Sequence, residues 1–287
     1  MKLDYKILWI EDDQGWITSV KSEIERFIQS KGHNPIFEIP SSIDTDYIKN
    51  NSFDEYDLML IDYTLPGLSE DSGDKLIEKI RAKKIYTNIV FYTNVTDKLQ
   101  QEIQDKKLDG VYFFDRTQLE IEDLEDLFAL IDFFIKKDMD NSSLRGIAMA
   151  EVAQFDKKIL SILKDNNLDE KIVEKVKEQQ NNCVQMCAKN DDEILSLVYS
   201  IKGTMILNSK SRKDILHSKI LKNRKDVEEE YKEIKDNYEN EILDIRNSLA
   251  HQIERTLNEE EKIEFGKNLI KFRKIFAKLE SELCKKP

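Results

Sequence analysis

Two hydrophobic rhythms divide this chain. Up to about residue 138, short unbroken apolar runs alternate with helical patterns. Beyond it, apolar residues recur only at helical spacing. The short runs predict strands over 5–10, 35–39, 57–62, 88–93 and 110–114, and the segments around them predict helices over 14–31, 44–50, 72–84, 96–106 and 119–137. A strand covered by helices on both faces reads as a continuous apolar run, whereas a half-exposed strand alternates. The pattern therefore predicts an α/β doubly wound parallel five-stranded sheet.

The polar stretch Asp138-Met139-Asp140-Asn141-Ser142-Ser143 ends that pattern. Five of the eight glycines precede residue 138, and after it no strand is expected. Amphipathic helices are predicted over about 144–165, 169–188, 191–208, 225–254 and 259–284, with a basic loop at Ser209–Lys213 and a short helix up to 222. The expected organisation is a first domain over 1–138, a junction over 139–143 and a C-terminal all-α helical bundle over 144–287. Phe265, Phe272 and Phe276 fall at helical spacing and read as core or as a dimer seam. The acidic runs Asp226–Glu230 and Glu259–Glu261 read as solvated helix faces.

The ends of three predicted strands carry the candidate chemistry. Lys6–Ile10 runs into Glu11-Asp12-Asp13, Leu58–Ile61 into Asp62, and Ile89–Tyr92 into Thr93. In open α/β sheets, functional groups gather outside the carboxyl ends of the strands. Carboxylates crowded there repel one another unless a cation lies between them, and a hard divalent ion such as Mg2+ prefers oxygen ligands. Taken singly, Asp12 or Asp13 can equally serve as the cap of the helix that begins near Gly15.

Ile-Leu-Trp-Ile-Glu-Asp-Asp (7–13), Leu-Met-Leu-Ile-Asp-Tyr-Thr-Leu-Pro-Gly (58–67) and Ile-Val-Phe-Tyr-Thr-Asn (89–94) together resemble a response-regulator receiver domain of flavodoxin-like fold. The resemblance implies that Asp62 is the phosphoacceptor. It implies that Asp12 binds Mg2+ directly, that Glu11 does so through water, and that the backbone carbonyl of Thr64 completes the protein's share. Thr93 would follow the phosphoryl group and Phe113 would be the switch aromatic. The partner would be a sensor histidine kinase or another phosphodonor. Two positions depart from the family pattern. Its fifth strand usually ends on a Lys that pairs with the phosphoryl group, and here Arg116-Thr117 stands instead; Arg offers a planar fork where Lys offers a point charge. Asn94 is also larger than the Ala or Gly common after the threonine.

In the second half, Arg246-Asn247-x-x-x-His251 lies in a helical pattern with apolar residues at 242, 245, 249 and 253. Asn247 and His251 are four apart and share a face. The hexapeptide resembles the Arg-x4–6-His motif of HEPN domains, all-helical modules many of which are metal-independent ribonucleases. The resemblance implies an endoribonuclease in which Arg246, Asn247 and His251 from two protomers face one cleft. RNA would be the substrate, a homodimer the active form, no metal cofactor would serve this half, and stress or phage defence would be the setting. The residue types suit the chemistry: His can take the 2′-OH proton near neutral pH, and Arg can hold the charge that develops on phosphorus. The plainer alternative is that Arg246 pairs with Glu241 or Asp244 in a charge-rich helix. In that case the helical domain is a non-catalytic signalling adaptor that dimerises and binds a protein partner.

Charge and composition limit the remaining classes. The chain has 287 residues and a net charge of -12, which disfavours a broadly basic nucleic-acid-binding surface. No helix-turn-helix ending in a basic helix is evident. Cys183, Cys187 and Cys284 lack the partners of a zinc site and read as ordinary packing in a reducing compartment. With no leader or membrane-spanning pattern in the sequence, a cytoplasmic protein with no membrane partner is expected.

Overall fold

A computed structural model describes residues 3–41, 43, 45–65, 73–93, 110–116, 124–138, 140–179, 189–200, 206–251 and 256–284. The expected helix over 96–106, the Pro66-Gly67 turn, Asn94, Thr117, Cys183, Cys187 and Ile253 lie outside the described residues. The chain divides into two compact units, residues 2–138 and 139–287.

In the first unit, β1 (Asp4–Ile10), β2 (Asn34–Glu38), β3 (Leu58–Asp62), β4 (Asn88–Thr93) and β5 (Val111–Asp115) form one parallel sheet in the order β2-β1-β3-β4-β5. Each strand lies within a residue of its expected limits. The unbroken apolar runs are the three central strands: every residue of β3 is buried, as are Ile7–Ile10 of β1 and Ile89–Thr93 of β4. β2 and β5 are edges and are only partly covered. This is the doubly wound order in which direction reverses between β1 and β3, and the crevice at that reversal is where such sheets place their sites. The register pairs Ile10 with Ile61 and Asp62 with Tyr92, so the ends of β1, β3 and β4 finish together.

Helix α1 (Gln14–Ser30) buries Ile17, Val20, Ile24 and Ile28, a three-and-four spacing that gives it one apolar stripe. Helices α2 (Thr45–Asn50), α3 (Gly73–Ala82) and α4 (Glu125–Asp138) complete the described layers. Phe27 of α1 stacks on Phe128 of α4 at 4.4 Å, and Lys31 pairs with Asp132 at 2.6 Å beside it.

His33, just before β2, is buried with its ring edge toward Tyr5. Burial lowers its pKa to about 4. The unfolded chain therefore binds a proton below about pH 6.5 that the folded chain refuses until about pH 4, so stability is present above this window and is lost as pH falls through it. Between pH 7.5 and 4.5, the unfolding free energy of this unit, measured by urea titration of the full chain relative to His33→Leu, is expected to fall by about 2–3 kcal/mol. A difference that stays constant with pH would show that His33 titrates normally.

Among its described residues the second unit consists of helices and the turns that join them, with no strand. Its long helices are α5 (Asn141–Asp165) and the C-terminal Glu259–Leu283; between them lie α6 (Asp169–Gln179), α7 (Asp191–Val198), α8 (Ser209–Ile215), α9 (Glu228–Asp236) and α10 (Asp244–His251), and the C-terminal helix is α11. Asp140 caps α5, and an Asn258/Glu261 capping box starts α11. The core lies between α5, α11 and the segment that follows α9. Phe155 packs on Phe276 at 5.1 Å, and Tyr238 packs on Phe272 and Phe276 at 5.0 and 5.3 Å. Phe265, Phe272 and Phe276 are thus core residues and not a seam between protomers.

Three sequence expectations are corrected here. The basic segment Ser209–Lys213 is not a loop but the start of α8: Asn208 caps it, and Arg212 and Lys213 are buried because Asp156 and Glu239 meet them. The single helix expected over 225–254 is broken. A 3-10 turn precedes α9, and a π turn over Glu239–Leu243 separates α9 from α10. The inserted residue of a π turn rotates everything after it, which period counting cannot anticipate. Glu230 is not a solvated charge; it is buried and accepts from Lys278 at 2.5 Å.

Candidate functional site

At the β1/β3 crevice, Glu11, Asp12 and Asp62 bring one carboxylate oxygen each to within 4.8 Å of one another. Glu11 is buried and fixed. Its Oε1 accepts from the amides of Asp12 and Asp13 at 3.0 and 2.9 Å, and its Oε2 accepts from the Tyr92 hydroxyl at 3.1 Å. Both oxygens are thus engaged by the protein. Asp12 is exposed, and Asp62 is 3% exposed. Burial, and next the Glu11 charge, push the Asp62 carboxyl up to about 7; the amides of Thr64 and Tyr63 and the Arg116 charge act the other way. Burial also raises Glu11. An all-oxygen donor set in which the Glu11 charge disfavours ionisation of Asp62 fits a hard divalent cation such as Mg2+, because the cation reverses that repulsion.

The Glu11 environment was not evident in the sequence. Tyr92 looks like one more apolar residue of β4, yet it is fully buried and its hydroxyl links two partners: it accepts from Trp9 Nε1 at 2.9 Å and donates to Glu11. Trp16, in the first turn of α1, packs on Tyr92 at 5.0 Å and edge-on to Trp9 at 5.4 Å. The available signal was chemical. A hydroxyl inside a buried strand needs a partner.

Arg116 reaches this crevice from the end of β5. Its Nη2 donates to Asp13 Oδ2 at 2.8 Å and lies 4.0 Å from Glu11 Oε2, while Nη1 lies 3.9 Å from Asp62 Oδ2. The guanidinium sits 4.9 Å above the Trp16 ring. Asp13 also caps α1 by accepting from Trp16 N at 3.0 Å, so its plain structural role and its contact with Arg116 coexist.

Thr93 is buried at the end of β4, and Thr64 is exposed two residues beyond Asp62. Phe113 is half-buried on β5; its ring meets Phe91 at 6.2 Å in an edge arrangement. Gly73 opens α3 against the end of β3, its amide donating to Tyr63 O at 2.9 Å. A Cβ there would stand 2.2 Å from the Asp62 carbonyl oxygen and 2.8 Å from Phe91. Because the obstacle is backbone, Gly73→Ala should destabilise this unit by about 1–3 kcal/mol and displace the acceptor. Urea unfolding of the full chain, read beside phosphoryl labelling, checks both; an unchanged midpoint would contradict the close approach.

In the helical unit, Arg246 and Asn247 line a cavity of about 500 Å³ together with Met149, Val152, Asp156 and Ser209. Arg246 does not pair with Glu241, which is held by Lys271 at 2.6 Å. Instead its Nη2 donates to Ser209 Oγ at 3.1 Å, and Ser209 Oγ donates to Asp156 Oδ2 at 2.7 Å. Arg212 lies behind, 3.8 Å from the same oxygen. Burial raises the Asp156 carboxyl and lowers the Arg212 guanidinium. Asp156 and Ser209 were not among the sequence candidates, although a carboxylate within the apolar stripe Val152-Phe155-Ile159 was a legible signal. His251 is exposed at the end of α10 and is not among the cavity-lining residues, so Asn247 and His251 do not share the cavity wall as their spacing suggested.

No helix among the described residues is long and apolar enough to cross a membrane. Neither a protein-family profile nor a curated protein matches the chain. Among solved structures, it is similar to the receiver domain of the Francisella response regulator 1452, with 18% identity over 46% of this chain and 98% of that one and a TM-score of 0.33. It is similar to a CheY-like response regulator receiver domain protein from Methanospirillum hungatei JF-1, with 19% identity over 46% and 94% and a TM-score of 0.34. A BeF3-activated DrrB receiver domain matches with 14% identity over 46% and 97%, also at a TM-score of 0.34.

Proposed function

We propose that the first unit is a phosphorylation-responsive receiver of two-component type, in which Asp62 accepts a phosphoryl group from a histidine kinase or another phosphodonor. The observation that carries this is the convergence of Glu11, Asp12 and Asp62 at the reversal point of the sheet. Asp12 and Asp62 would hold Mg2+ directly, with the Thr64 carbonyl. Glu11, whose oxygens already accept protein hydrogen bonds, would act through water. Bound Mg2+ supplies positive charge to the acceptor and phosphoryl oxygens.

An Asp62 oxygen attacks phosphorus; the new O–P bond forms as the bond from phosphorus to the donor's nitrogen or oxygen breaks, and the leaving group departs with the bonding pair, a histidine nitrogen taking a proton from solvent and a carboxylate leaving as the anion. Arg116 and Thr93 then hold the phosphoryl oxygens, Arg116 with its fork and Thr93 with its hydroxyl. Phe113, packed on Phe91 next to these groups, is the aromatic that reports the change to the β5 face. Incubation of the full chain with acetyl phosphate, with MgCl2 or with EDTA, tests this by mass spectrometry. A phosphoryl adduct only with MgCl2 is expected.

For the helical unit, the reading favoured by a specific observation is a metal-independent endoribonuclease acting as a homodimer. Arg246 and Asn247 line one open cavity, and Arg246 is held by Ser209 and Asp156 instead of by a surface carboxylate. In this reading Arg246 binds the scissile phosphate, Asn247 orients it, and His251 takes the 2′-OH proton. Because His251 stands off the cavity wall, the His251 that completes the cleft would come from the second protomer. RNA left uncut would favour the adaptor that dimerises and binds a protein.

A further inference from the structure

The position of Arg116 is unusual for a cation beside buried carboxylates. It lies 3.9 Å from Asp62 and 4.0 Å from Glu11, outside hydrogen-bond range of both, while its short contact goes to the exposed Asp13. A guanidinium fork free to move there would close on the buried carboxylates, since charge-assisted paired bonds are strongest where water is excluded. Something therefore holds it back, and two contacts can do so. Asp13 divides its oxygens: Oδ1 caps α1 and Oδ2 takes Nη2. Trp16 offers its face to the guanidinium plane at 4.9 Å. The ring cannot drift, because it is packed on Tyr92 and Trp9, which are themselves buried and hydrogen-bonded to each other.

We propose that Asp13 and Trp16 are positioning residues that clip the Arg116 guanidinium at a stand-off from Asp62 and Glu11, and so keep those carboxylates open to a divalent ion. The inference rests on reading Glu11, Asp12 and Asp62 as the site of such an ion. It also accounts for Arg at this position, since a Lys ammonium has neither the planar face for Trp16 nor the fork that spans Asp13 and the crevice. Release from the clip lets the same guanidinium move onto a phosphoryl group at Asp62.

The test is calorimetric titration of the full chain with MgCl2. Asp13→Asn keeps the capping oxygen of α1, since Asn caps as well as Asp, and replaces the charged oxygen that takes Arg116 with an amide NH2, which can only donate. Freed Arg116 then competes with the ion, and Mg2+ affinity should fall about tenfold, a coupling of ordinary size for groups in contact. In an Arg116→Gln background there is no cation to release, and the same Asp13→Asn change should alter affinity by less than about threefold. Trp16→Phe, which keeps a ring but a weaker cation face, should lie between wild type and Asp13→Asn. Thermal unfolding confirms that each variant is folded. An equal loss of affinity in both backgrounds would mean that Asp13 acts through its own charge, which overturns the clip while leaving the ion site standing. Unchanged affinity in Asp13→Asn overturns it too. No Mg2+ binding by the wild type overturns the ion site itself, and the clip with it.

Discussion

Asp62→Asn is expected to abolish Mg2+-dependent phosphoryl labelling of the full chain to below detection. The amide keeps the size and shape of the side chain but has no nucleophilic oxygen anion, and its nitrogen cannot serve the ion. Because Asp62 is buried against a like charge, removing its charge should not harm the fold; relief of the repulsion with Glu11 works in its favour. A loss of labelling with an equal or higher unfolding midpoint is therefore the specific signature. Asp12→Ala should also abolish labelling, by a different route. The acceptor remains, but a direct ligand is gone, so raised MgCl2 should restore part of the signal in Asp12→Ala and none in Asp62→Asn. Labelling that persists in Asp62→Asn would assign the phosphoryl group elsewhere and remove the central claim about this unit.

The second large effect belongs to the helical unit. His251→Ala and Arg246→Ala are each expected to reduce RNA cleavage in EDTA by about 10²–10⁴-fold, the range for losing a general base or the main stabiliser of developing charge. The two variants differ in their side effects. His251 is exposed, so its truncation leaves the packing untouched and gives the cleaner result. Arg246 is half-buried on Ser209, and removing it leaves Asp156 short of a neighbouring cation, so some loss of stability should accompany the loss of rate. Both losses should appear in kcat, and cleaved ends should carry 2′,3′-cyclic phosphate. Cleavage that needs a divalent metal, or that survives in His251→Ala, would separate the activity from this motif. Intact RNA across a broad substrate panel would leave the helical unit as a docking module.

Much of the first unit was legible because a parallel sheet writes its burial into the chain directly. Helices on both faces make β1, β3 and β4 unbroken apolar runs, so each run shows where its strand ends and which polar residue follows. Glu11, Asp12, Asp62 and Thr93 stand out in this way along the chain itself. The helical unit was less legible because a helical period says which residues share a face only while the period is kept. The π turn over Glu239–Leu243 interrupts it before α10. Within α10 Asn247 and His251 stay four apart, but the cavity, walled by α5 and the start of α8, takes in Asn247 and not His251. Asn208 likewise turned an apparent loop into α8 and buried Arg212.

The sequence by itself determined the sheet, its strand ends, the helical character of the second half and the identities of the charged groups that could do chemistry. These depend on local propensity and on the one-dimensional record of burial. Only the tertiary structure decided which charges meet. Arg116 rests on Asp13 and Trp16, Tyr92 holds Glu11, and Ser209 and Asp156 hold Arg246. Each of those contacts joins residues 37 or more positions apart, or depends on one that does. Their partners are selected by where packed elements stop and by which buried polar groups remain to be satisfied, and neither is written in the spacing along the chain.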